Sequence, residues 1–278
     1  MAHAPERFLA DKSAPFCSLA VAPSFGLLTP KEKKYAHFVG KASWAGARII
    51  QGQSTPDAAR LYDLLILTFT DHAGKFADLD ALRTKSGSSE EDWQGLLQYT
   101  AQVLSNLSNY KSFGFTKFVP RTPEAQFGAV VKASANAEKA SSLWHDLKDS
   151  IYSVTPDSSL SIGKRSDGHI SAYYLGEVPT DEEVAAVQTT AEKLGLDLFN
   201  TRVRKDGPGK LSLLIASAEK RPVAQHALEL AGIKDATLSI EYGDFSDAMD
   251  KVAQYLSEAK QYVANEHQTA MLDGYVKS

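Results

Sequence analysis

Seven histidines, one cysteine and thirty-four carboxylates are the raw material for metal or nucleophilic chemistry in these 278 residues, and their spacing decides what they can do. The histidines are His3, His37, His72, His145, His169, His226 and His267, and the closest two stand 24 residues apart. A chelating pair on one helix needs ligands three to five residues apart, so no helical pair exists here. An enzyme built on scattered histidines would need at least two of His145, His169 and His226 to converge in space. Cys17 cannot form a thiolate cluster by itself, and without a neighbouring His it reads as a packed thiol rather than a nucleophile. Glu266-His267 reads as part of a solvated helix face, and no G-x-S-x-G elbow occurs. The glycine-rich run Asp206-Gly-Pro-Gly-Lys210 lies between two expected strands, not ahead of a helix whose N–H groups could meet a phosphate; it predicts a hairpin turn.

The densest chemistry is in 109–120, Asn-Tyr-Lys-Ser-Phe-Gly-Phe-Thr-Lys-Phe-Val-Pro, where aromatics, lysines and turn residues come together. The apolar residues of 90–107 (Trp93, Leu96, Leu97, Val103, Leu104, Leu107) recur at helical spacing and predict a helix ending near Ser108 and Asn109. Beyond it the pattern alternates. Phe113, Phe115 and Val119 are expected on one side of an extended segment, Gly114 and Thr116 on the other, with Pro120 stopping the run. Such a strip is either a surface for a peptide or anionic ligand, or an aromatic core strand carrying two solvated lysines.

The elements around it follow from caps and periods. Residues 1–29, with Pro5, Pro15 and Pro23 and little periodicity, read as an extended arm. A helical part over 30–155 contains the strip. Thr29, Pro30 and Glu32 form a capping-box start, and further helices are expected from Ser54, over 75–86, from Ser88-Ser89, and through 122–150. A strand-rich part spans 156–243, with runs at 160–163, 169–175, 198–204, 210–216 and 236–242. Two helices interrupt it, 180–194 with Thr180 and Glu183 as capping box, and 221–231. A long helix closes the chain over 244–278. The fold class is therefore α+β: a helical first half and a small, largely antiparallel barrel or sheet.

Composition bounds the function. A chain that is 43% hydrophobic and 23% charged has globular values and enough length to bury a core without disulfides or metal. A net charge of −4 with both signs interspersed argues against a nucleic-acid partner. No window approaches the roughly 20 apolar residues of a membrane span, and the N-terminus has no signal-peptide run, so no membrane partner and a cytoplasmic location are expected.

The strip 109–120 resembles the N-terminal signature of the dipeptidyl peptidase III family of zinc aminopeptidases. The resemblance extends to 28–37 (Leu-Thr-Pro-Lys-Glu-Lys-Lys-Tyr-Ala-His), 42–49 (Ala-Ser-Trp-Ala-Gly-Ala-Arg-Ile), Asn200-Thr-Arg202, Tyr242-Gly-Asp-Phe245, 264–268 (Ala-Asn-Glu-His-Gln) and Met271-Leu272, in the family's order. It implies a two-lobed cytosolic enzyme that removes dipeptides from the N-terminus of oligopeptides lying between the lobes. Zinc in that family is held by an H-E-x-x-x-H helix and a further glutamate on the second lobe. These 278 residues resemble the first lobe and stop before that helix. The resemblance thus implies oligopeptide substrates, a C-terminal catalytic lobe as the missing partner, no zinc and no turnover in this chain alone. It places Tyr110, Lys111, Ser112 and Phe113 at the cleft wall, with Phe113 against a substrate side chain. The alternative is a stand-alone, non-enzymatic peptide-binding or scaffold protein derived from that lobe.

Overall fold

The computed structural model describes residues 5–14, 17 and 19–277; Pro15, Met1 and His3 lie outside them. The architecture is α+β, and its contacts divide into two units: residues 5–14 with Gln51–Ser171, and Cys17–Ile50 with the chain from Ala172 onward. No helix among the described residues is long and apolar enough to cross a membrane.

In the N-terminal arm, expected to be extended throughout, residues 22–27 form a short helix α1 (Ala22–Leu27). Pro23 sits in its first turn, where the missing N–H costs nothing. Helix α2 (Pro30–Ser54) begins as its sequence predicts. The Glu32 N–H donates to Thr29 Oγ1 (3.3 Å) and the Thr29 N–H donates to Glu32 Oε2 (2.8 Å). The boundary between the units falls within this helix at Gln51.

The first unit is helical: α3 (Ala58–Phe69), α4 (Leu79–Ser86), α5 (Glu90–Asn106), α6 (Glu124–Ala133) and α7 (Ala137–Tyr152). Asp78 and Ser89 cap α4 and α5 by accepting from the N–H groups of Ala81 and Asp92. The apolar stripes converge on one core, with Leu61, Leu64 and Leu65 from α3, Trp93, Leu96 and Tyr99 from α5, Phe127, Val130 and Val131 from α6, and Trp144, Leu147 and Ile151 from α7. Each aliphatic or aromatic side chain fully buried here contributes roughly 1.5–3 kcal/mol of transfer free energy. Phe127 packs against Trp144 with ring centroids 4.5 Å apart, and Tyr99 meets both Phe118 and Phe127 edge-on.

The second unit holds a five-stranded sheet. Its strands are β1 (Tyr174–Gly176), β2 (Thr201–Gly207), β3 (Lys210–Ala216), β4 (Ala224–Ala227) and β5 (Thr237–Asp244), in the order β1-β2-β3-β5-β4. The sheet is mixed. β2/β3 and β4/β5 are antiparallel, whereas β1/β2 and β3/β5 are parallel. Helix α8 (Asp181–Lys193) carries the expected Thr180/Glu183 capping box and packs Val187 and Ala191 against Leu211, Leu213, Leu238 and Ile240. The Gly-Pro-Gly run is the β2–β3 hairpin turn, as its residues predict.

One helix of the sequence reading is replaced. Residues 221–231 do not form a helix; β4 pairs with β5 from Ala224↔Ile240 to Ala227↔Thr237, and Leu228, whose N–H donates to the Ala236 carbonyl, enters the core. The segment is rich in Ala and Leu, but a row of hydrogen bonds to a formed strand outweighs a propensity worth a few tenths of a kcal/mol per residue. The closing helical segment runs as α9 (Ser246–Ala259) and α10 (Glu266–Lys277), separated by a tight turn and an extended Val263.

Two glycines of helical segments give a matched test of core packing. A Cβ on Gly128 would lie 2.9 Å from Trp144 Nε1, whereas nothing lies within 4 Å of a Cβ on Gly40. Gly128→Ala should destabilise by about 1–3 kcal/mol and alter the near-ultraviolet signal of Trp144. Gly40→Ala should stabilise by about 0.5–1 kcal/mol and leave that signal unchanged. Urea melts of both variants check the opposite signs.

Candidate functional site

Helix α5 ends at Asn106, where Leu107 takes a left-handed conformation (φ 59°) and sends the chain into the strip. The strip is not a single extended strand. It is a hairpin in which Tyr110 pairs with Lys117, the Lys111 N–H donates to the Thr116 carbonyl (2.9 Å), and the Phe118 N–H donates to the Asn109 carbonyl (2.9 Å). The reversal happens at Gly114 (φ 86°) and Phe115 (φ 53°). Glycine takes that conformation freely, and the left-handed Phe115 is held by its N–H on the Lys111 carbonyl (3.1 Å). Phe113, Phe115 and Val119 therefore do not share one face. Val119 is buried under the N-terminal arm, where it pairs with Leu9, while Phe113 and Phe115 stand at the tip.

The base of the hairpin is fixed from several sides. Ser108 Oγ accepts from the Tyr110 N–H, and Asn106 Oδ1 accepts from the Ser112 N–H (2.8 Å). A further segment closes the other arm, because the Lys117 N–H donates to the Leu160 carbonyl (2.8 Å) and the Ile162 N–H donates to the Phe115 carbonyl (3.1 Å). The arm at 8–10 adds bonds to Val119 and a bracket at Asp11, whose N–H and carbonyl both meet the Gln102 amide.

The four residues carried over by resemblance thus lie in one hairpin but face differently. Tyr110 is buried, its hydroxyl donates to the Ser159 carbonyl (2.7 Å), and burial pushes the phenol up to about 12. Lys111 pairs at 3.3 Å with Asp11, Ser112 is exposed, and Phe113 is 95% exposed at the tip.

Lys117 is the residue that sequence reasoning placed wrongly. Read as a solvated lysine, it is only 5% exposed, and its ammonium donates to the carbonyls of Ser150 (2.6 Å) and Ser153 (2.8 Å) at the end of α7. Burial holds it down to about 8, with Asp57 acting in the opposite sense. A cation is the natural occupant of a helix C-terminus, where carbonyls lack N–H partners. The signal was absent locally, since nothing in Thr-Lys-Phe distinguishes a lysine under a helix end from one in water. Lys117, Tyr110, Asn109, Thr55, Asp57 and Thr155 line a cavity of about 410 Å³. The Lys117 ammonium and the Tyr110 hydroxyl are committed to backbone carbonyls, so they position a hairpin, whereas the buried Thr55 Oγ1 meets no hydrogen-bond partner. Among the described residues no three His, Cys, Asp or Glu side chains gather to hold a metal. His169, for one, is bound through Nδ1 to the Ser158 carbonyl and Ser161 Oγ.

Comparison with known proteins adds the relatives. Residues 143–278 match the profile of Peptidase family M49. The chain is 33% identical to dipeptidyl peptidase 3 of Mus musculus over 278 aligned positions, covering 94% of this chain and 36% of the mouse protein. It is 32% identical to dipeptidyl peptidase 3 of Dictyostelium discoideum, covering 98% of this chain and 38% of that protein, and 32% identical to the Homo sapiens protein with 94% and 36% coverage. The chain spans little more than a third of the length of these relatives.

Replacing Lys117 by Met leaves the α7 carbonyls without their donor and should cost about 1–3 kcal/mol. The pH dependence isolates the cause. With a folded pKa near 8 and an unfolded one of about 10.4, the unfolded chain binds more protons between those limits. Wild type should therefore gain stability relative to Lys117→Met as pH rises from 8 to 10.5, with a flat difference below about 7. Denaturant titrations of both proteins across pH 6–10.5 check this.

Proposed function

Over the length it shares with its relatives this chain belongs to the dipeptidyl peptidase III family, and from that membership we propose that it is the N-terminal, substrate-binding lobe of a zinc exopeptidase that removes dipeptides from oligopeptides. The observation that carries this reading is the Phe113 ring, bare at the tip of a hairpin whose base is tied down on both arms. A fixed backbone presenting a bare aromatic ring is suited to cover an apolar side chain of an extended peptide, since little ordering entropy is lost when the peptide arrives. Ser112 and Lys111 beside it offer a hydroxyl and a partly exposed ammonium to peptide carbonyls.

When bound, zinc supplies a Lewis acid that polarises the scissile carbonyl and activates water. The residues present do not fit as its cradle: no three potential ligands gather among the described residues, and His is nowhere followed by Glu in the sequence. No hydrolytic step is assigned to these residues. The work of this chain, on this reading, is to hold the peptide, while metal ligands and general base come from a catalytic lobe outside these 278 residues.

Two measurements test the proposal. The 278-residue chain should release no dipeptide from an arginyl-arginyl naphthylamide reporter and should carry no stoichiometric zinc by elemental analysis; turnover with bound zinc would overturn the division of labour. A pentapeptide beginning Arg-Arg should bind in calorimetry, and Phe113→Ala should weaken it about 5- to 30-fold with unchanged helicity. Unaltered affinity would remove the hairpin tip from the site.

A further inference from the structure

The cavity of about 410 Å³ at the base of the hairpin, whose lining belongs wholly to the first unit, has hydrogen-bonding capacity that the hairpin does not use. An ammonium carries three protons. Lys117 gives two of them to the Ser150 and Ser153 carbonyls, and the third meets no acceptor among the described residues. Thr55, 4% exposed on the same lining, has an Oγ1 without a hydrogen-bond partner. A buried donor left in that state is costly, and it points to an acceptor from outside the chain.

The charges on this lining stand apart. Lys117 is buried and forms no ion pair among the described residues, its partners at Nζ being the two carbonyls. Asp57 is half-exposed, with Arg60 Nη1 3.9 Å away, and favours the Lys117 charge from a distance without bonding to it. Asp149, the other carboxylate on the lining, is at the surface and bound to Lys148 (2.9 Å). Much of the remaining wall is aliphatic, from Leu61, Leu147, Ile151 and Ile170.

We propose that this cavity binds a small zwitterion with an aliphatic body, an α-amino acid of the size of leucine, its carboxylate taken by Lys117 Nζ and Thr55 Oγ1 and its ammonium turned to Asp57. Two buried donors ask for an acceptor, and a carboxylate also brings the counter-charge that Lys117 lacks. The more exposed Asp57 asks for a cation. A simple carboxylic acid meets the first demand and leaves Asp57 unmatched, and an amine does the reverse. A zwitterion meets both while its side chain covers the aliphatic wall. A phosphate would find one cation opposed by a carboxylate.

The probe is L-leucine, titrated into the 278-residue chain in a calorimeter. Saturable binding is expected at millimolar concentrations or below. Leucinamide, whose carboxylate is capped, and 4-methylpentanoate, which lacks the ammonium, should each bind about tenfold more weakly. Thr55→Val should weaken leucine about 2- to 10-fold without lowering the unfolding midpoint of the free chain, since that hydroxyl has no bond to lose. Asp57→Asn should weaken leucine several-fold and leave 4-methylpentanoate unaffected. The pH profile is a separate readout. The titratable groups on the lining are Lys117, Asp57, Asp149 and Tyr110, whose phenol is pushed up to about 12, and Lys117 is held down to about 8. Affinity should therefore fall as pH rises from 7 to 9 and the ammonium loses its proton, and binding at pH 8 should take up protons, seen as a heat that varies with the ionisation enthalpy of the buffer. Phe113→Ala should leave leucine affinity unaltered, so the hairpin-tip reading and this one fail separately. No saturation at millimolar leucine, equal affinity for the three probes, unchanged affinity in Thr55→Val, or a flat profile between pH 7 and 9 would each overturn the proposal.

Discussion

A charged amine under a helix end holds the hairpin in register. Taking an ammonium out of water costs several kcal/mol unless its protons find acceptors, and Lys117 finds two in the last turn of α7. Those carbonyls would otherwise face the cavity unpaired. Each deficit partly offsets the other, and does so only if the hairpin arm, the end of α7 and the segment at 160–162 come together, because the Lys117 backbone is also bonded to Leu160. The tip at 112–115 projects from that junction. Its exposure follows from how its base is tied.

What the sequence made legible was local. Capping boxes at Thr29/Glu32 and Thr180/Glu183 are matters of three residues and hydrogen-bond reach, and both form. The periods of α3, α5 and α7 were readable because each stripe repeats several times. A similar signal before α10 went unread: Asn265 Oδ1 accepts from the Gln268 N–H, and Gln268 Oε1 accepts from the Ala264 N–H, which is why the closing helix restarts after Val263. The illegible parts were those decided by a distant partner. The run at 221–231 has helical composition, and only the presence of β5 beside it makes β4. Likewise the alternation of aromatics in 109–120 suits a strand, yet Gly114 turns the chain back, and the hairpin so formed is held by pairing with segments roughly 40–110 residues away.

The charged residues of the second unit show why a chemical inventory overestimates chemistry. Glu183 serves α8 as its cap and is also the acceptor for Lys205 (2.8 Å), so a capping carboxylate doubles as a buried tie between helix and sheet. Arg202 is bound bidentately by Asp244 and lies 4.3 Å from the Phe245 ring. Arg204 joins Asp206, Glu241 and Ser212 across three strands, and the carboxylates, Asp206 foremost, push its pKa above the ordinary arginine range. Breaking one partner of such a network is costly because the other is left charged and half-buried. These groups are therefore committed to the fold, and their number says little about catalysis.

Against that background the charges of α2 differ in kind. Arg202, Arg204 and Lys205 of the sheet are matched by carboxylates, whereas Lys34 and Lys41 rest on aromatic rings that fix position. Phe113 differs from them again, since it offers apolar area and no field. The two exposed features obey different physics and can be separated by it. The field of an exposed ammonium such as Lys41 decays as ions shorten the Debye length to about 8 Å at physiological salt, while contact with a bare phenyl ring is governed by buried area and is largely indifferent to salt.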